Sequence, residues 1–491
     1  MSGGGSGSSG SGSGSSYGGS YGSSFSSSVR RIVPIAWPVF VGQVAVLAFA
    51  TVDTVLVARH SPTDLAALAV GGACYITVFV GLMGMVLAVG PIVGRLFGAG
   101  QLHEAGRQAW QALWLALALA GVGSALLAFP EPFLALAQAT PAVADKVRGY
   151  LLMLAFALPA SLAFTVYRGF NTAVSRPKAV MALQLGGLAL KLPLSLLLVS
   201  GWPAAGIPAL GVVGCGLGTL IVMWVQLAMA MWLLRRDAFY QRFDLWLPAQ
   251  RRPHVASLKA LLKLGVPMGL AILVEVTGFS FMAIFISRLG ETAVAGHQIA
   301  VNLVSLLFML PLGLSNATST LVAQRIGAAD LADARRLGWH GLQFTLAMAL
   351  GVGCTVYVAR EWVVGLYTGN TAVVAAAVPL LAWVALFHAA DAVQTVAAFV
   401  LRAWHITTLP TLVFVVALWG VGLGGGYTLA FHSAGRVPES WQGARGFWIA
   451  STAGLILTAL LLSGLLAWVM AKRRAEQSGQ RPAPEAAQPA A

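Results

Sequence analysis

Long apolar runs separated by short polar connections fill the chain from about residue 33 to residue 471. Each run can cross a bilayer as a helix, because about 20 residues at 1.5 Å rise cover a hydrocarbon core of roughly 30 Å. Six fall at roughly 33–58, 65–97, 107–130, 149–174, 178–200 and 208–234, and six more at roughly 256–288, 294–327, 337–359, 372–401, 409–431 and 446–471. The pattern predicts an all-α polytopic membrane protein with twelve transmembrane helices. Residues 1–28 are almost entirely Gly and Ser, and residues 472–491 are polar, so both ends read as disordered tails, the second of them cytoplasmic. Residues 235–257 make the longest connection. Its sequence RRDAFYQRFDLWLPAQRRPH mixes aromatics with arginines and suits a cytoplasmic linker lying at the lipid headgroups.

The chain also repeats itself. Laying Pro38 on Pro267 brings Arg59 onto Arg288, Gly84 onto Gly313 and Gly98-Ala99 onto Gly327-Ala328. A slightly larger displacement sets Arg168 on Arg402 and Pro177 on Pro410. The halves are therefore an N-lobe, residues 29–234, and a C-lobe, residues 258–471, each with six spans. An even number of spans starts both lobes on the same side and relates them by a pseudo-two-fold axis along the membrane normal. Transporters built this way hold substrate between the lobes and rock around it.

Composition agrees. Of 491 residues, 58% are hydrophobic and 9% charged, against about 25% charged in soluble domains. The net charge of +14 comes from Lys and Arg in short connections, with no compact basic domain for nucleic acid. Most of these residues lie on the side that holds both termini, which the positive-inside rule makes cytoplasmic. No removable signal peptide is evident. Cys74, Cys215 and Cys354 lie in apolar runs and offer no disulfide framework. HExxH, P-loop and nucleophile-elbow motifs are missing, which argues against an enzyme or an ATP-driven pump.

The chemistry sits where charge is costly. Of sixteen Asp and Glu residues, only Asp53, Glu275 and Asp391 fall well inside spans. An ionised carboxylate at mid-bilayer costs roughly 2.5–3.5 kcal/mol on insertion scales, so such residues usually hold a cation or a proton; the alternative is a buried structural carboxylate. Glu275 faces Val46 in the repeat and Asp391 faces Ala157, so the acids break the internal symmetry. Lys191 also lies mid-span, and Asp53 is the partner expected for it, unless the lysine snorkels. His388 precedes Asp391 by one helical turn, and His297, Gln298 and Asn302 lie along the eighth span as further polar candidates. Gly90, Gly94 and Gly98 beside Pro91 suit a close helix contact or a bend.

The segments VDTVLVAR, VEVT, AGHQIAVNLVSLLFMLPLG and DAVQTVAAFVLRAW resemble the multidrug and toxic compound extrusion (MATE) transporters, their NorM-like branch above all. The resemblance covers about residues 30–470 and implies a bacterial inner-membrane antiporter, a monomer without a cofactor. It implies export of small cationic, often aromatic compounds in exchange for H⁺ or Na⁺. Glu275 and Asp391 match the family's cation-site acids, the ligands of Na⁺ if that is the coupling ion, and Asp53 matches its first-helix acid. Two positions depart. The fifth span offers Lys191 and Ser195 where the family commonly has amide or acid side chains, so a built-in ammonium stands where an ion would bind. Phe387 replaces a frequent Tyr four residues before Asp391, which removes an oxygen ligand and favours H⁺. A lipid-linked saccharide flippase of the same superfamily is the rival reading, and it would need several cationic side chains in the cavity.

Overall fold

Among the described residues, twelve helices are long and apolar enough to span a bilayer, one on each apolar run. The computed structural model describes residues 24–479 except 138–139, 203–205, 207 and 433–434. In the N-lobe, α1 covers Phe25–His60, α2 Pro62–Gly98, α3 Leu102–Ala128, α4 Pro141–Ala173, α5 Pro177–Ser200 and α6 Gly211–Arg236. In the C-lobe, α7 covers Val255–Ser287, α8 Glu291–Gly327, α9 Leu331–Val358, α10 Thr371–Ala403, α11 Thr408–Phe431 and α12 Gly443–Gly479. Pro62, Pro141 and Pro177 open α2, α4 and α5, where a missing N–H leaves no bond unmade. Pro91 breaks α2 at Leu87–Ala88, because its ring crowds the Leu87 carbonyl one turn back. The α11 backbone takes π-helical pitch over Val415–Gly424.

The lobes meet on the half of the molecule nearest both chain ends, called here the termini face. An apolar cluster joins Ile32, Ile35 and Ala36 of α1 to Ala271 of α7 and Leu314 and Leu321 of α8. At the face itself two hydrogen bonds cross between lobes in pseudo-symmetric fashion. Arg95 Nε donates to the Ala403 carbonyl (2.8 Å), and its repeat mate Gln324 donates through Nε2 to the Ala173 carbonyl (2.7 Å), the mate of Ala403. Arg31 also pairs with Asp333 at 2.9 Å, and Ser28 Oγ lies 2.8 Å from His340 Nδ1. Burial and the nearby Arg95 push the His405 imidazole down to about 4, so at neutral pH it is uncharged. Among the described residues, no hydrogen bond or ion pair joins the lobes at the opposite face.

Two glycines at this face make the tightest of the approaches between the lobes. A Cβ on Gly98 would run into the Gln324 carbonyl, and one on its mate Gly327 into the Arg95 carbonyl. Both obstacles are backbone and cannot swing aside. Gly98→Val is therefore expected to part the lobes at the termini face. Spin labels at the exposed positions Lys178 and Ala332 would report a longer separation; an unchanged separation would show that the glycine contact does not hold the lobes closed.

Two boundaries differ from the sequence reading. Helix α1 starts at Phe25, inside the tail assigned to residues 1–28, because Phe25 packs edge-on against the His340 ring at 5.5 Å and Ser28 is buried. Helix α12 runs through Lys472, Arg473 and Arg474 to Gly479, since those residues favour helix as readily as the span before them. Residues 1–23 and 480–491 lie outside the described part. The connection at 235–257 is packed onto the N-lobe: Tyr240 and Phe243 are fully buried in its core, and Trp110 and Gln111 of α3 donate to its Leu245 and Arg252 carbonyls. Its arginines sit on aromatic rings, with Arg176 of α5's N-terminus over Phe239 at 4.0 Å and Arg235 over Trp246 at 4.6 Å, so the mixture builds a packed strap.

Candidate functional site

Two polar clusters lie within the spans, one in each lobe. In the C-lobe, Glu275 sits half-buried on α7 and Asp391 is 4% exposed on α10. The two carboxylates act on each other electrostatically. Gln394, one turn after Asp391 and fully buried, donates through Nε2 to Asp391 Oδ1 at 2.9 Å and lies near enough to Glu275 to act on its carboxylate. Thr395 Oγ1 donates to the Asp391 carbonyl (2.7 Å) and receives the Gln394 amide at 3.2 Å. The Gln394 Oε1 atom is buried without a partner. Two carboxylates and an orphaned amide oxygen thus converge, a donor set for a small hard cation or for a shared proton.

Neither Gln394 nor Arg402 was singled out from sequence. They stand at +3 and +11 from Asp391, on one stripe of α10, and that spacing was the available signal.

The other C-lobe candidates fall elsewhere. Phe387 is buried in an aromatic cluster, 5.9 Å from the Phe279 ring and 5.5 Å from Trp448. His297 packs edge-on against Trp448, and neither of its ring nitrogens has a partner. His388 is 1% exposed, with Nε2 unpartnered. Gln298 and Asn302 lie on the exposed side of α8, where Asn302 Oδ1 accepts from Tyr367 at 3.0 Å. Among the described residues no hydrogen bond or ion pair ties any of these five to the acid pair.

In the N-lobe, the Lys191–Asp53 pair expected from sequence is formed. Lys191 Nζ lies 2.9 Å from Asp53 Oδ1, close enough for an ion pair though off the line of a good hydrogen bond. The ammonium donates to Thr219 on α6, which in turn donates to the Cys215 carbonyl. Lys191 is 1% exposed and Asp53 8%, so both charges are out of water. Ser195, one turn beyond Lys191, is buried with a free hydroxyl and backs onto Gly218. The two clusters therefore differ in kind. The N-lobe acid holds a cation supplied by the chain, while the C-lobe acids hold only each other and an amide.

The MatE family model matches residues 38–197 and 267–428, one stretch in each lobe. The chain is 41% identical over 438 residues to a probable multidrug resistance protein NorM of Aromatoleum aromaticum, spanning 89% of this chain and 93% of that one. It is 34% identical to the multidrug resistance protein PmpM of Pseudomonas aeruginosa, over 88% of this chain and 90% of that one. Among solved structures it is similar to the eukaryotic MATE transporter AtDTX14 (TM-score 0.81, 19% identity, 92% of this chain and 99% of that one). It is also similar to the Vibrio cholerae MATE transporter VcmN in the bent form (TM-score 0.80, 18% identity, 92% and 98%). At such identities the structures show a shared fold.

Proposed function

The chain belongs to the MatE family of multidrug and toxic compound extrusion transporters, and on that premise we propose that it expels small organic cations in exchange for protons taken up by the C-lobe acid pair. The observation that carries this reading is the Glu275–Gln394–Asp391 cluster, present in one lobe only and half open at Glu275. Contact between the lobes at the termini face supports entry of the ion from the opposite side. By the excess of Lys and Arg, the termini face is cytoplasmic and the opposite face external.

Protonation of the pair removes the negative charge that holds a cationic drug, which then leaves outward. With the lobes rocked the other way, loss of the proton restores the charge and a new cation binds. Ion and drug compete for one charge, and that competition couples them. H⁺ is favoured over Na⁺ because Phe387 supplies no oxygen ligand beside the acid pair. An anionic lipid-linked cargo is disfavoured, since Lys191 is already tied to Asp53.

Proteoliposomes containing the purified chain, loaded with ethidium, test this. A pH gradient alone is expected to drive ethidium movement, and a Na⁺ gradient at equal pH is expected to drive none. Flux under Na⁺ alone would overturn the choice of ion, and flux under neither would overturn ion coupling.

A further inference from the structure

Arg402 ends the polar stripe of α10 and is 8% exposed. Its guanidinium rests over the Phe399 ring at 4.2 Å, and among the described residues no hydrogen bond or ion pair reaches it. A cation so largely buried normally has an anionic or carbonyl partner. It lines a cleft of about 10 Å³, room for about one water, walled by Met268 and Ala271 of α7 and by Pro410 and Phe414 of α11. Those walls are apolar, with Thr407 and Thr411 the polar exceptions. Ala271 lies one helical turn before Glu275, and Glu275 and Arg402 act on each other electrostatically.

The N-lobe arginine nearest in register is held differently. Arg168 on α4 lies one turn before the position that matches Arg402 when Ala173 is laid on Ala403, and it donates to Gln43 Oε1 at 3.2 Å and to Met83 Sδ at 3.4 Å. The C-lobe positions that correspond to Gln43 and Met83 are Ile272 and Leu312, both aliphatic. Arg402 has neither kind of partner, and α7 carries an acid at Glu275 where α1 has Val46.

We propose that Arg402 is a resident counter-cation for Glu275: it turns from the Phe399 ring onto the carboxylate when the acid pair is empty and returns when a cation or drug arrives. This rests on the reading that the acid pair is the ion and drug site. Arg402 is then a positioning residue that sets how tightly the pair holds its cargo. Without it, the empty site would be two carboxylates and an amide with no counter-charge, and release toward the cytoplasm would be slow.

The test measures ethidium binding to the full chain in nanodiscs, at fixed pH and Na⁺, together with exchange turnover. Arg402→Gln is expected to tighten ethidium about tenfold, within the usual range of site coupling, and to slow exchange; Arg402→Lys is expected to restore both. Phe399→Leu removes the resting place and is expected to weaken ethidium, a change of opposite sign that loss of structure would not produce. In a Glu275→Gln background, Arg402→Gln is expected to change affinity no further.

Unchanged or weakened binding in Arg402→Gln, the same change in both backgrounds, or failure of Lys to restore would overturn the proposal. If Arg402→Gln does not fold, unchanged affinity in Phe399→Leu overturns it. If Glu275→Gln alone leaves binding and ion dependence intact, the acid-site reading fails and this inference falls with it. If Glu275→Gln matters and Arg402→Gln does not, only the counter-cation falls.

Discussion

Glu275→Gln combined with Asp391→Asn is expected to lower proton-driven ethidium exchange by about 100-fold, near the upper end of what a single coupling supplies, while leaving the protein as stable as before or more so. The replacements keep side-chain volume, so the packing of α7 against its neighbours and the aromatic cluster around Phe387 are undisturbed. The amide at position 391 still offers an oxygen to Gln394 Nε2, which keeps the 2.9 Å bridge available. What disappears is charge. Removing two carboxylates from bilayer depth relieves desolvation and mutual repulsion, so thermal stability in detergent should hold or rise. Transport should fail all the same, because nothing is left for a proton to neutralise. Parallel measurement of exchange and of the thermal midpoint separates the cases. Loss of both would make the acids structural. Retention of exchange with its pH dependence would end the proposed mechanism.

The sequence carried the architecture because membrane insertion is a coarse filter. About 20 apolar residues cannot hide in a soluble loop, and a repeat written in prolines, glycines and arginines survives divergence of the lipid-facing side chains between them. Asp53 and Lys191 were legible as a pair for the same reason, since two mid-span charges in one lobe have few places to go. Gln394 was not. An amide costs less than a charge in a helix, and its value lies in standing between two carboxylates, a relation between α7 and α10 that no single helix displays. Arg402 was overlooked because a basic residue near a span end reads as a loop charge obeying the positive-inside rule. Only its burial and its lack of partners set it apart. The packing of the strap at 235–257 was not legible for a related reason. Arg and Trp in alternation fit a headgroup layer and also fit cation–π packing on a protein surface, and Phe243 and Tyr240 show the second.

The Asp53–Lys191 pair yields the second large effect. Asp53→Asn is expected to destabilise the chain by about 3–5 kcal/mol, the cost of leaving one buried charge without its partner. Lys191 is 1% exposed, and Thr219 alone cannot balance its ammonium. Lys191→Met should cost a similar amount by stranding Asp53 beside the buried thiol of Cys215. The double variant Asp53→Leu with Lys191→Met should recover most of the loss, because a well-packed apolar pair of similar volume often replaces a buried ion pair at little cost. The same double variant tests whether the N-lobe takes part in ion binding. If the chain's own ammonium fills the site, as the 2.9 Å contact suggests, proton-driven exchange survives in the double variant and depends only on Glu275 and Asp391. If exchange is lost while stability is regained, Asp53 must be releasing Lys191 during the cycle, and the N-lobe is a second coupling site. A double variant no more stable than either single one would mean that the two side chains do not interact in the folded chain, and the pairing itself would be wrong.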